Sequence, residues 1–177
     1  MRRSRRLRLA DAPRLIIGGA VQFASLFNGR YQRSEGAHVM ATDEHGRVLS
    51  VQTTYMGPGW MLPGGRVERA EAPHEAAARE TREETGISVE IERLVLLDAR
   101  VPSGVSFVFR GTMVGGELAP QFGEIAEAGW IGRDEIAETS KPLHQLLELI
   151  DEAGEGVVYL GLGSTSPADL SGRATRD

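Results

Sequence analysis

Three glutamates at positions 80, 83 and 84 have a spacing that brings their carboxylates together if the segment is a helix. At about 100° per residue, Glu83 projects about 60° to one side of Glu80, and Glu84 about 40° to the other. Like charges at this spacing repel each other, and the helix dipole disfavours anions near the C-terminus. A divalent cation removes the conflict because hard cations bind several carboxylate oxygens at once. The spacing therefore predicts a metal site; the alternative is a solvated acidic face with ion pairs to Arg79 and Arg82.

The segment that carries these glutamates has helix signals at both ends. Pro73 suits the first turn of a helix, and Gly86 suits the left-handed residue that ends one. Strong helix formers, including three consecutive alanines, fill the interval. The residues at 57–65 are rich in glycine and proline, which is typical of a loop. We therefore expect a helix over 73–85 with a breaker-rich loop before it.

Strand patterns surround this helix, and a second helix follows them. Alternating or continuously apolar runs predict the strands, and a turn with glycine at its end joins the first two. The second helix has leucines and isoleucine at helical spacing and Ser140 as its cap. This order predicts a mixed α/β domain. The expected strands are 37–42, 47–54, 87–99, 105–114 and 129–131, and the expected helix is 142–152.

The polar residues around the helix match a specific signature. Gly65 is followed by five residues and Glu71, then by seven residues and a run that includes the three glutamates. This pattern resembles the Nudix box, G-x5-E-x7-R-E-U-x-E-E-x-G-U, in which U is a bulky aliphatic residue. Ile87 fits the final aliphatic position, whereas Thr81 departs from the first and is expected to weaken helix packing. The required positions are all present: Gly65, Glu71, Arg79, Glu80, Glu83, Glu84 and Gly86.

The resemblance spans roughly residues 36–153 and implies both a fold and a chemistry. It implies a Nudix-type mixed-sheet α/β/α sandwich that uses Mg²⁺ or Mn²⁺ to hydrolyse a nucleoside diphosphate linked to another moiety. Glu80, Glu83 and Glu84 would be the catalytic metal ligands. Gly65, in the Gly64–Gly65 loop, would add its backbone carbonyl. An acidic site binds a pyrophosphate only through bound cations, so the physics agrees with this chemistry.

The resemblance also suggests supporting residues. Arg79 would orient the carboxylates, and Glu71 would tie the loop to the helix. Members of the family often supply one more catalytic glutamate from outside the box. Glu124 is preferred over Glu127 because it lies in the loop before the strand; the alternative is that both are surface charges. The general base stays open among Glu80, Glu84 and Glu124.

The substrate signals are few. Pro102, with Ser103 and Gly104, resembles the downstream proline of ADP-ribose pyrophosphatases, although a plain turn between strands would also place a proline there. ADP-ribose, nucleotide sugars and nucleoside triphosphates all stay open, and Glu127 is a further substrate-binding candidate. Tyr55, Phe122 and Trp60 are candidates for stacking a base, while Trp60 and Trp130 also suit the core.

An enzyme is preferred over a non-catalytic, nucleotide-sensing module of the same fold. Modules of that kind usually lose glutamates of the box, and here all of them are intact. Intact ligands and supports in one motif satisfy the requirements of a catalytic site.

Composition and charge set the remaining limits. The chain has 177 residues and suits one domain, and without cysteine it has neither disulfides nor thiolate metal sites. The net charge of −5 argues against general nucleic-acid binding. We divide the chain into a basic arm with an apolar segment at 1–35, a Nudix hydrolase domain at 36–160, and a disordered tail at 161–177. We expect a cytoplasmic protein that acts on a small nucleotide.

The N-terminal arm is the least typical segment. Residues 1–14 hold six arginines, and residues 15–27 form an apolar run of 13, which is too short to span a membrane. Asp11, Pro13 and Arg14 argue against a secretory signal. Packing on the domain, or on a second copy in a homodimer, is favoured over lying on a membrane surface.

Overall fold

A computed structural model describes residues 34–99 and 104–161 of the chain. Residues 1–33 of the basic arm, residues 162–177 of the C-terminal tail, and Pro102 lie outside the described residues. The chain order of the elements is β1 (Ser34–Ala41), β2 (Val48–Thr53), β3 (Gly64–Arg66), α1 (Pro73–Thr85), β4 (Ile87–Asp98), β5 (Gly104–Gly116), β6 (Ile125–Ile131), α2 (Arg133–Thr139), α3 (Lys141–Ala153) and β7 (Val158–Leu160).

The strands form two sheets. Five strands make a mixed sheet in the order β3-β1-β5-β4-β7, in which β1 and β5 run parallel and β4 and β5 run antiparallel. Strands β2 and β6 form a separate antiparallel pair. The turn predicted between the first two strands is present, but it joins two sheets: a bridge from Thr42 to Val48 connects the strands before they diverge. Strand β2 pairs with β6 instead, which brings the loop before β6 beside the end of β2.

The helices cover both faces of the five-stranded sheet. On one face, alanines of α1 pack against Ala37, Val39 and Ala41 of β1. On the other face, Met40 of β1 and Val108 of β5 pack with the leucines of α3. Neighbouring residues of β1 thus enter different cores, as the alternation of side chains along a strand requires. The layers form the α/β/α sandwich that the resemblance to the Nudix box implies.

Helix α1 begins and ends where its sequence signals indicate. Pro73 is in the first turn, and the backbone N–H of Ala72 donates to the Glu75 carboxylate at 2.9 Å. Gly86 ends the helix with φ of +77°, a conformation that a side chain would strain. Thr81, the departure from the motif, is fully buried and donates its hydroxyl to the Ala77 carbonyl at 2.7 Å. Its polar atom therefore has a partner within the helix.

The C-terminal helices differ from the prediction in three details. Helix α3 is one residue longer at each end than predicted, and the short α2 precedes it. Ser140 stands at the N-cap position of α3, but its hydroxyl does not cap the helix. It donates instead to the Trp60 carbonyl at 2.7 Å and so ties the loop before β3 to the helical layer. Among helices in the described ranges, none is long and apolar enough to cross a membrane.

Candidate active site

Glu84 joins the last turn of α1 to the loop at the start of β3. Its Oε2 accepts a hydrogen bond from the Gly64 N–H at 2.8 Å. Burial raises the pKa of the Glu84 carboxyl to about 8; the Gly64 N–H opposes this shift, and the negative charges of Glu80, Glu124 and Glu83 add to it. Among the charges of the described residues that act on Glu84, none is positive.

Arg79 organises the other carboxylates of α1 and its preceding loop. It binds Glu71 with two hydrogen bonds, Nε to Oε1 at 2.8 Å and Nη2 to Oε2 at 3.0 Å. Its Nη1 donates to Glu80 at 2.9 Å and to Glu83 at 3.1 Å. The Arg79 hydrogen bonds lower the pKa of Glu71, helped by the backbone N–H of Glu68. Arg79 thus joins Glu71, in the loop, to Glu80 and Glu83 on the helix.

Two glycines allow the loop to approach these carboxylates. A Cβ atom on Gly65 would lie 2.5 Å from the carboxyl carbon of Glu80, so only glycine fits beside that carboxylate. Gly64 has φ of +145°, and a Cβ there would overlap the backbone of β1. Burial also raises the pKa of Glu80, against the opposing effect of Arg79. The loop and the helix are therefore in direct contact at the site.

The structure separates the two glutamates outside the box. Glu124 lies at the end of the loop before β6, and its charge contributes to the raised pKa of Glu84. Glu127 pairs with Gln52 in the β2–β6 ladder and is exposed. Of these two, Glu124 is the one whose charge acts on the carboxylates of α1.

A contact that no local pattern signals positions Glu124. The backbone N–H of Thr54 donates to the Glu124 carbonyl at 2.9 Å, and the Thr54 hydroxyl donates to the Gly123 carbonyl at 3.0 Å. On the other side of the loop, the Gln121 N–H donates to the Glu84 carbonyl at 3.1 Å. The loop is thus held between the end of β2 and the last turn of α1. Thr54 and Gly123 are 69 residues apart, so sequence spacing alone offered no signal for this link.

The oxygen donors of the site are of the kind that Mg²⁺ and Mn²⁺ bind. Within residues 34–99 and 104–161, no three acidic or imidazole groups converge on one point. The hydrogen bonds explain this, because Arg79 holds Glu80 and Glu83 while Glu84 turns to the Gly64 amide. One guanidinium does not neutralise this group of carboxylates, and Glu84 in particular has no cationic partner among its contacts. The donor set therefore fits a divalent cation.

The aromatic candidates have different environments. Trp60 is 4% exposed, lies in the core, and donates its Nε1–H to Glu135 at 3.3 Å. It presents no open ring face, which favours the core alternative for this residue. Tyr55 is 46% exposed and Phe122 is fully exposed.

His38 is a buried polar residue beneath the site that the sequence did not single out. It is 4% exposed and lies opposite Gly64 in the β1–β3 ladder. Burial lowers the pKa of the His38 imidazole to about 4, although a hydrogen bond with the backbone of Leu62 opposes the shift. The imidazole is therefore neutral, and its hydrogen bond with the Leu62 backbone joins β1 to the loop before β3.

Comparisons with known proteins show which family and fold this chain resembles. Residues 32–150 match the NUDIX domain. A MutT-like protein of Streptomyces ambofaciens is 36% identical over 117 residues, which cover 64% of this chain and 75% of that protein. The human 8-oxo-dGDP phosphatase NUDT18 is 36% identical over 99 residues, which are 54% of this chain but only 30% of that protein.

A solved structure shares the fold. The crystal structure of an ADP-ribose pyrophosphatase from Streptococcus suis superposes with a TM-score of 0.57 over 73% of this chain and 99% of that one, at 21% identity. At this identity the likeness bears on the fold alone.

Proposed function

Because this chain belongs to the NUDIX domain family and is a Nudix hydrolase, we propose that it is a metal-dependent pyrophosphohydrolase. Its substrate is a nucleoside diphosphate linked to another moiety, and water attacks a phosphoanhydride bond. The oxygen of water bonds to phosphorus, the bridging P–O bond breaks, and the bridging oxygen leaves with the second phosphate.

The observation that carries this proposal is the environment of Glu84. Its carboxylate is half-buried at the contact between the Gly64 loop and α1, with the charges of Glu80, Glu83 and Glu124 nearby. A fold selected only for stability has no reason to gather like charges in a half-buried position. Cation binding supplies the reason.

The carboxylates of Glu80, Glu83 and Glu84 and the backbone carbonyl of Gly65 would hold the cation. When bound, Mg²⁺ or Mn²⁺ neutralises phosphate oxygens and makes a water molecule a better nucleophile. Arg79 keeps Glu80 and Glu83 within reach of each other, and Glu71 fixes the guanidinium. The Gly64 N–H orients Glu84. The proton of the attacking water passes to a carboxylate oxygen of Glu80, Glu84 or Glu124.

Candidate substrates come from two sources. The similarity to human NUDT18, named as an 8-oxo-dGDP phosphatase, adds a second class, free oxidised purine nucleoside diphosphates, in which the phosphoanhydride joins the two phosphates and no further moiety. The proline at position 102 suggests ADP-ribose. Nucleotide sugars and nucleoside triphosphates complete the set.

A hydrolysis panel tests the proposal. The purified protein is assayed with 8-oxo-dGDP, ADP-ribose, a nucleotide sugar and nucleoside triphosphates, in Mg²⁺, in Mn²⁺ and in excess chelator. We expect turnover of at least one compound, its loss in chelator, and its return when the metal is restored. Full activity in metal-free buffer would refute the metal requirement, and binding without turnover of any compound would favour the sensing module.

A further inference from the structure

Two exposed aromatic residues flank the carboxylates, and neither belongs to the box. Tyr55 directly follows Thr54, and Phe122 directly precedes Gly123. The Thr54 hydroxyl and the Gly123 carbonyl form a hydrogen bond at 3.0 Å, so the two aromatic residues extend from adjoining points of the backbone. The fold thus brings together two residues that are far apart in the sequence.

Backbone hydrogen bonds join the loop that carries Phe122 to the C-terminal end of α1. The Ala119 N–H donates to the Thr85 carbonyl at 2.8 Å, and the Gln121 N–H donates to the Glu84 carbonyl at 3.1 Å. Phe122 is therefore one residue away from a direct contact with the backbone of Glu84. Gly123 then turns the chain with φ of +97°, which other residues adopt only with strain.

The exposure of Phe122 is unusual for its position. Its 102% exposed fraction means that the ring contacts almost nothing in the protein, on a segment that hydrogen bonds hold from both sides. Covering an exposed phenyl ring with another apolar or aromatic surface is energetically favourable.

Tyr55 lies within the electrostatic field of the same carboxylates. Burial raises the pKa of the Tyr55 phenol, and the negative charges of Glu84, Glu124 and Glu80 raise it further. The ring is still 46% exposed. Tyr55 therefore borders both the carboxylates and solvent.

We infer that Tyr55 and Phe122 form an aromatic pair that binds the nucleobase of the substrate while the carboxylates, through the cation, engage its diphosphate. This inference rests on the proposed function and identifies which part of the substrate each side of the site recognises. The faces of a nucleobase are planar, apolar and uncharged, so carboxylates offer them no favourable contact whereas an aromatic ring does. Aromatic side chains stack on bases of any sequence, and such a stack is lost when the ring is removed.

Equilibrium binding separates base recognition from catalysis. Isothermal titration in Mg²⁺ compares α,β-methylene-ADP and α,β-methylene-GDP with methylenediphosphonate, which has the same bridged phosphates but no nucleoside. These compounds resist hydrolysis at the bridge. We expect the wild-type protein to bind at least one nucleotide more tightly than the base-free compound.

Substitutions in the pair should remove that preference. Phe122→Ala and Tyr55→Ala should each weaken nucleotide binding by about 5- to 100-fold, the range for loss of one base–aromatic stack, and leave methylenediphosphonate binding unchanged. Tyr55→Phe keeps the ring and should keep the affinity. Val114→Ala, at a residue that is 61% exposed on β5, is the matched control for loss of an exposed apolar side chain.

The outcomes distinguish the inference from the proposed function. Equal affinity for nucleotides and methylenediphosphonate in the wild type, or unchanged nucleotide affinity in Phe122→Ala, would overturn the aromatic pair. A change in molecular mass without a change in affinity would make Phe122 a contact between protein chains and would also overturn it. Ring-dependent nucleotide binding in a protein that hydrolyses none of the panel would support the pair and refute the proposed function.

Discussion

Replacing Glu84 with glutamine should change how the stability of the metal-free protein depends on pH. Glutamine retains an oxygen that can accept the Gly64 N–H, now at 2.8 Å from Glu84, but it has no charge. The Glu84 pKa is raised from its ordinary value of 4.5 to about 8 in the folded protein. The folded state therefore holds this proton at pH values where the unfolded chain has released it. The bound proton therefore adds to the free energy of unfolding. This contribution is complete below about pH 4.5 and is lost as the pH rises from there through about 8.

The magnitude follows from the size of the pKa change. One pKa unit corresponds to about 1.4 kcal/mol, so a rise from 4.5 to about 8 corresponds to at most about 5 kcal/mol. Glu84 keeps part of its surface in contact with solvent, which screens the neighbouring charges. We therefore expect Glu84→Gln to exceed the wild type in free energy of unfolding by about 2–3 kcal/mol at pH 9 and by less than about 1 kcal/mol at pH 5, which lies just above the ordinary carboxyl pKa of 4.5.

Urea unfolding in excess chelator, from pH 5 to pH 9, measures this difference. Glu152→Gln, at an exposed position on α3, is the control that removes a carboxylate away from the site. Addition of Mg²⁺ should reduce or reverse the advantage of Glu84→Gln, because a bound cation compensates the charge of the wild-type carboxylate. A difference between variant and wild type that stays constant from pH 5 to pH 9 would refute the reasoning about the buried charge.

Three further predictions concern the rest of the site. Arg79→Lys removes the paired hydrogen bonds to Glu71, so hydrolysis should fall by about 10- to 100-fold while circular dichroism stays unchanged; wild-type turnover would contradict the positioning role. Gly65→Ala places a Cβ atom 2.5 Å from the carboxyl carbon of Glu80, so calorimetric titration should show weaker Mn²⁺ binding, and unaltered affinity would separate this glycine from the metal site. Pro102→Ala should change the order of preference among ADP-ribose, nucleotide sugars and nucleoside triphosphates in the hydrolysis panel. If the order stays the same and only about 1 kcal/mol of stability is lost, Pro102 serves as a turn residue.

Local sequence signals were sufficient wherever the structure depends on neighbouring residues. Pro73 and Gly86 bound α1 as predicted, because a first-turn proline and a left-handed glycine act on their own backbone. The pairing of Arg79 with Glu83 follows from helical spacing. The α/β/α sandwich was implied by the resemblance to the Nudix box, whereas the periodicity by itself indicated only a mixed α/β domain.

Local sequence patterns could not predict the contacts between distant segments. The first two strands have ordinary strand sequences, yet their sheets differ, because pairing depends on which other edges are available after collapse. Ser140 has the residue type of an N-cap, but the Trp60 carbonyl competes successfully for its hydroxyl. Strands β3 and β7, with three residues each, are too short to leave a periodic signal.

The sequence by itself determined the acidic stripe on which the proposed chemistry rests: the glutamates of α1 have the types and spacing that a helix brings onto one face, with their arginine on the same helix and the glycines in the loop before it. Only the tertiary structure decided what surrounds that stripe. It brings the Gly64 amide to Glu84 across 20 residues and the loop of Phe122 and Glu124 to the end of β2 across about 70. The physical reason is that helix geometry is set within a few residues, whereas burial and the charges that shift the Glu84 pKa arise only when separate segments pack together.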